Sequence, residues 1–187
     1  MRKTIQKILE ENKKIAEILL SQVAEIERIA GMICKCLRTG GKLLFIGNGG
    51  SAADSMHLAG EYVARFRAER QSLPALALSD NISIITSIGN DISYDHIFVR
   101  QIESQGKPRD LVVALSTSGE SKNIIAAIRY AKKHNIKTIA FTGEKKNSLS
   151  RLANYSFHAP SGDTARIQET YLLANHIICE IVDSKFS

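Results

Sequence analysis

Residues 42–62 read KLLFIGNGGSAADSMHLAGEY. Four apolar residues, Leu43-Leu44-Phe45-Ile46, run into Gly47-Asn48-Gly49-Gly50-Ser51, and a helical pattern follows. A continuous apolar run of this length, punctuated by glycine and leading into a helix, reads as a strand buried on both faces of a parallel sheet. The unit recurs. Ala75-Leu76-Ala77-Leu78 leads through Ser79-Asp80 to a helical segment, and Leu111-Val112-Val113-Ala114-Leu115 leads through Ser116-Thr117-Ser118-Gly119 to another. Thr138-Ile139-Ala140-Phe141 ends in Thr142-Gly143, and Tyr155-Ser156-Phe157-His158-Ala159 precedes the last helix. Five such runs with helices between them predict one α/β domain, and no Pro/Gly/Ser-rich linker divides it.

Upstream of the first strand, residues 3–38 carry apolar positions Ile5, Ile8, Leu9, Ile15, Ile18, Leu19, Val23, Ile26, Ile29 and Ile33 at helical spacing, with Lys, Glu and Gln between them. Thr39-Gly40-Gly41 supplies the stop. So long an amphipathic stretch suits helices that pack on a neighbouring subunit as well as on their own domain; a helix hairpin covering its own sheet is the alternative. No stretch approaches the roughly 18 apolar residues of a membrane span. The charged opening, MRKTIQKILEENKK, lacks the apolar core of a signal peptide, and a cytosolic location is expected. Three cysteines, with Cys34 and Cys36 two apart in a helical pattern, make neither a disulfide framework nor a metal pair. The net charge of +6 suits an anionic substrate, and no basic stripe interleaved with aromatics points to nucleic acid.

Two loops carry the chemistry. In an open parallel sheet, ligands bind beyond the carboxyl ends of the strands. Gly47-Asn48-Gly49-Gly50-Ser51 lets backbone approach a ligand closely. Ser116-Thr117-Ser118-Gly119-Glu120-Ser121 presents four hydroxyls at the start of a helix, where free N–H groups favour an anion. The glycines are not followed by the lysine of a nucleotide-binding P-loop, and the spacing is not a dinucleotide fingerprint. Together the loops describe a site for a phosphate and sugar hydroxyls.

The runs GNGGSAADSMHLAGE, SIGND, STSGES and DTARIQE, with His176 eight residues beyond Gln168, make the chain resemble the bacterial phosphoheptose isomerase family over essentially its whole length. The resemblance implies the sugar isomerase (SIS) fold: a single domain over residues 1–187, a parallel five-stranded sheet flanked by helices, and an N-terminal helical extension over 1–40. It implies conversion of sedoheptulose 7-phosphate to D-glycero-D-manno-heptose 7-phosphate through an enediol, the first step toward nucleotide-activated heptose for lipopolysaccharide or capsule. It further implies one zinc per subunit and a homotetramer. Carried over by position, Asn48, Gly49, Gly50, Asn90 and Asp91 would contact the sugar, and Ser116, Thr117, Ser118 and Ser121 would hold the phosphate. His57, Glu61, Gln168 and His176 match the family's zinc ligands, Gln168 also touching substrate, with Glu61 and His176 as the acid–base pair. The segment from Arg67 to Leu73 and the approach Ser161-Gly162 to Asp163 look like variable ground.

The residues make chemical sense of this. Moving a proton between C1 and C2 needs a base and a group managing protons on the two oxygens. A shielded carboxylate such as Glu61 becomes more basic, and His176 exchanges protons near neutral pH. His57 and Glu61, four apart, share a helix face; alone, HxxxE is more often a surface hydrogen bond, and its place after the glycine loop is what raises it. Gln168 and His176 lie roughly 12 Å apart along one straight helix, too far for two ligands of one ion. That predicts a site at a subunit interface, one of the two side chains reaching into a neighbour; a bent helix is the alternative. Arg65 and Arg166 are candidates to pair with substrate oxygens or to brace a carboxylate, whereas His96, His134 and His158 read as packing or helix-end residues. The rival reading is a non-catalytic SIS module that binds a sugar phosphate or a protein such as a replication initiator; the set His57, Glu61, Gln168 and His176 argues against it.

Overall fold

The computed structural model describes residues 1–187. Its sheet has five parallel strands in the order β2-β1-β3-β4-β5: β1 (Leu43–Gly47), β2 (Ala75–Ala77), β3 (Leu111–Leu115), β4 (Lys137–Thr142) and β5 (Tyr155–His158). The expected strands are therefore all present, β2 being the shortest and lying at the edge. Side chains alternate between two cores, as strand geometry requires. Leu43, Phe45, Val113, Ile139 and Phe141 face one helix layer, and Leu44, Ile46, Val112, Ala114 and Ala140 face the other. The first layer holds α2 (Val23–Arg38), α3 (Gly50–Val63) and α8 (Thr164–Phe186). The second is built chiefly from α5 (Ile97–Gln105), α6 (Lys122–Lys133) and α7 (Ser148–Leu152), with α4 (Ile82–Asp91) at its margin.

The N-terminal region is two helices rather than one. A 3₁₀ turn at Leu20–Gln22 separates α1 (Arg2–Leu19) from α2. The second helix covers its own sheet, burying Ile26, Ile29, Ala30, Ile33 and Leu37, and ends where Gly40 and Gly41 donate back to the carbonyls of Leu37 and Cys36. The first buries only Ile15 and Leu19, leaving Ile5, Leu9 and Ile18 exposed. The second helix is thus the one that covers its own sheet, and the first leaves most of its apolar stripe uncovered by its own domain. No helix is long and apolar enough to cross a membrane. All three cysteines are free and buried, and burial pushes the Cys36 and Cys179 thiols up to about 12.

Helices α3 and α8 run side by side in the same direction. Gly50 meets Gln168, Ser51 and Asp54 meet Tyr171, and His57 meets His176. Beyond the end of α3, the chain is tied to α8 by Asp183, whose side chain is 3% exposed. Its carboxylate accepts from the backbone N–H groups of Arg67 and Ala68 at 2.7 and 2.9 Å and from Arg70 Nε at 2.5 Å. Arg70 also donates to the carbonyls of Glu61 and Tyr62 and so caps the end of α3. The segment that looked variable in sequence thus contains the clamp that fixes Glu61.

Burial works to raise the Asp183 carboxyl, but those N–H groups and Arg70 overcome it and hold the group below its ordinary value. A carboxyl held low contributes stability above its unfolded value of about 3.9, and the contribution is lost as pH falls through the lower folded value. Asp183→Asn is expected to cost roughly 3 kcal/mol in urea unfolding at pH 7 by leaving Arg70 unpaired. The difference from wild type should narrow as pH falls below about 4; a constant difference would show that the charge is not what matters.

Candidate active site

The strand order reverses direction at β1, with β2 on one side and β3 on the other, and the crevice of such a sheet opens at the carboxyl ends there. Gly47 pairs with Leu115, so the glycine loop after β1 and the serine loop after β3 emerge side by side. In the serine loop, Ser116 Oγ accepts from Gly119 N–H at 3.1 Å, and Ser118 Oγ accepts from Glu120 N–H at 3.2 Å. Ser121 stands at the start of α6 without spending its hydroxyl on the helix. Hydrogen bonds from Ser148 turn Glu120 away and hold its carboxyl below its ordinary value. Gly119 has φ +66°, and a Cβ there would lie 2.1 Å from Asn147, whose buried amide braces the loop; only glycine fits. Thr117 and Ser118 line a cleft of about 200 Å³ with Lys145, a cation with no carboxylate partner.

Two turns along α3 lies a second group. His57 Nε2 and His176 Nε2 are 2.9 Å apart, one donating to the other, and Glu61 Oε1 is 3.5 Å from His57 Nε2. The three ligand atoms lie within 4.8 Å of one another. Two imidazole nitrogens and a carboxylate oxygen are a zinc donor set, and the two nitrogens need separate by only a few tenths of an ångström to take corners of a tetrahedron with bonds of about 2 Å. These residues therefore fit a zinc ion. Phe66 stacks on the His176 ring at 5.4 Å. Burial, with the neighbouring His57, lowers the His176 pKa against the opposite pull of Glu61.

Gln168 stands apart from this group. Its amide rests against Gly50, where a Cβ would sit 2.4 Å from Nε2. The sequence argument that Gln168 and His176 are too far apart for one ion agrees with this placement, and the helix is not bent to join them: α8 is continuous from Thr164 to Phe186. His176 meets His57 and Glu61 of its own chain. Asn90 donates to Asp91 at 2.7 Å at the exposed end of α4, and Asp91 lines a cleft of about 330 Å³ with Ser87, Arg100 and Gln105; neither bonds to the two loops. Arg65 pairs with Glu69 and Arg166 with Glu169, so both brace carboxylates, while Asp163 caps α8 by accepting from Arg166 N–H. His158 bonds Gly143 O, His96 bonds Ser93, and His134 ends α6.

A family model described as SIS domain matches residues 8–143. The phosphoheptose isomerase of Thermodesulfovibrio yellowstonii is 44% identical over 96% of this chain and 90% of its own. Phosphoheptose isomerase 1 of Campylobacter jejuni is 38% identical over 97% and 98%. The chain belongs to the phosphoheptose isomerase family of SIS-domain enzymes. The solved phosphoheptose isomerase of Neisseria gonorrhoeae superimposes with a TM-score of 0.92 at 33% identity, covering 98% of each chain.

In this isomerase, several groups near the loops were not singled out from sequence. Tyr171, fully buried, places its hydroxyl 2.6 Å from Ser51 Oγ and donates to Asp54 Oδ2 at 3.3 Å. Burial raises the pKa of both Tyr171 and Asp54. The signal was available: Asp54 lies between the glycines and His57, and Tyr171 is one helical turn past Gln168.

The close approach at Gly50 is testable. A methyl there meets the movable end of Gln168, not backbone. Gly50→Ala should therefore leave the melting temperature within a few degrees of wild type, while displacing the amide by about 1 Å and lowering kcat/KM by up to about a hundredfold. Calorimetry and a steady-state assay check the two halves.

Proposed function

We propose that the enzyme converts sedoheptulose 7-phosphate to D-glycero-D-manno-heptose 7-phosphate, the step that commits the sugar to nucleotide-activated heptose. The observation that carries this reading is a carboxylate and two imidazoles in one group, His57 and Glu61 on the helix that the glycine loop opens and His176 on α8 beside it. Ser116, Thr117, Ser118 and Ser121, with Lys145 nearby, hold the phosphate at the start of α6, where the helix dipole favours its charge. Asn48, Gly49, Gly50 and Gln168 bind the sugar, and Asn90 and Asp91 close on it from α4. Glu61 removes a proton from C1 of the ketose, leaving an enediol between C1 and C2. It returns the proton to C2, and the carbonyl is then at C1. His176 moves the second proton from the C1 oxygen to the C2 oxygen. His57, Glu61 and His176 would hold a zinc, whereas Gln168, resting at Gly50, is left to the sugar; zinc bound there would polarise the substrate carbonyl and make the C1 proton more acidic.

The enzyme works as a homo-oligomer, a tetramer by resemblance. Leu20 and Val23 line an apolar groove of about 660 Å³ with Leu173 and Ile177 of α8. Ile177 points away from His176, which faces α3, so a subunit seated on this groove covers the apolar side of α8. The α1, α2 and α8 surface is the subunit contact this reading proposes. Free, buried cysteines accord with a reducing cytosol.

A coupled assay with sedoheptulose 7-phosphate tests the reaction. Glu61→Gln should lower kcat by roughly 10²–10⁴-fold while keeping the fold, and chelation should abolish turnover restored by zinc. Absence of heptose phosphate from folded, zinc-loaded protein would refute the assignment.

A further inference from the structure

Asn48 has nearly all of its hydrogen-bonding capacity already committed. Asn123, 2% exposed in the first turn of α6, donates through Nδ2 to Asn48 Oδ1 at 2.9 Å and accepts from Asn48 Nδ2 at 2.9 Å. The orientation of this reciprocal pair is not free. Ile124 backbone N–H, which can only donate, points at Asn123 Oδ1 at 2.9 Å. That fixes which end of the Asn123 amide is oxygen, and through it which end of the Asn48 amide is oxygen. Tyr94, in the short turn after α4, then donates its hydroxyl to Asn48 Oδ1 at 3.1 Å. Both acceptor positions of Asn48 are thereby filled, and one N–H remains. Tyr94 is 56% exposed, and its oxygen keeps its lone pairs for another donor.

We infer that Asn123 and Tyr94 set the polarity of the sugar-binding face, so that Asn48 meets the sugar with one N–H donor and Tyr94 meets it as an acceptor. Asn123 is a positioning residue, acting through Asn48; Tyr94 touches the substrate. The ligand this face selects is a sugar phosphate with two neighbouring oxygens, one accepting from Asn48 and the other a hydroxyl donating to Tyr94. The inference rests on the proposed reading of Asn48 as a sugar contact. It extends that reading to a segment of chain, the turn after α4, that motif matching left at Asn90 and Asp91.

The test compares wild type, Tyr94→Phe and Asn123→Leu for binding of two probes by calorimetry, sedoheptulose 7-phosphate and inorganic phosphate. Leucine matches asparagine in shape but has no hydrogen-bonding atoms, so packing is kept while polarity is lost. Each variant should bind the sugar phosphate about tenfold more weakly and bind inorganic phosphate, which needs only the serine loop, as wild type does. Equal loss of both probes in Asn123→Leu would reduce that residue to a structural role and overturn its part in the inference. Tyr94, at an exposed position, gives a variant that folds regardless, and unchanged sugar binding there overturns the acceptor role. A wild type that binds phosphate but not sedoheptulose 7-phosphate overturns the substrate reading and this inference together. A wild type that binds both, matched by both variants, overturns this inference alone.

Discussion

Five consecutive residues of β1 pair in parallel with five of β3, and this seam decides where the chemistry sits. From the end of β1 the chain turns into α3 on one face of the sheet; from the end of β3 it turns into α6 on the other. The two exits diverge, and a crevice is left between them because no chain fills it. The glycine loop and the serine loop are its two walls. Neither could be moved along its strand without breaking the pairing of Gly47 with Leu115 that sets their heights level. The seam is buried on both faces, so slipping it would also exchange the two cores.

The two helices that leave the crevice side have different tasks. The first turn of α6 uses its polar groups locally, to orient the Asn48–Asn123 amide pair and to present the serine hydroxyls. By contrast, α3 extends the candidate site away from the crevice, down to His57 and Glu61, and it needs a partner to do so. That partner is α8, lying alongside with the same direction and closed at the far end by the Asp183–Arg70 pair. A long polar stripe along a helix would ordinarily face water. Here it is shared between two helices, and Tyr171, Ser51 and Asp54 satisfy one another inside it.

Much of this was legible in the sequence. Continuous apolar runs identified β1, β3 and β4, which are buried on both faces, and the edge strands β2 and β5, only partly buried, were found by their place between helical segments. The two polar loops were legible because glycine and serine clusters after such runs have few structural uses. The grouping of His57 with Glu61 followed from their four-residue spacing. What sequence could not supply were contacts made across the fold: Asn123 against Asn48, 75 residues apart, Tyr94 against the same side chain, and Asp183 against residues 113 to 116 positions away. Spacing showed that Gln168 and His176 are too far apart to share an ion along one helix. It did not show that both face α3, one at the glycine loop and one at His57, since that depends on α8 lying parallel to α3. The segment from Arg67 to Leu73 read as variable because an arginine in a loop has no periodicity to mark it as buried.

The parallel pairing of α3 with α8 makes length as significant as residue identity. Each inserted residue turns everything beyond it by about 100° and advances it about 1.5 Å. One residue added between Gln168 and His176 would leave Gln168 on Gly50 and swing His176 away from His57. One residue added in α3 between Gly50 and His57 would have the mirror effect. The counts of seven along α3 and eight along α8 therefore behave as part of the site. A search for working relatives is better framed by those two gaps than by the residues alone, and grafts that keep every side chain but alter either gap would separate the glycine loop from the histidines.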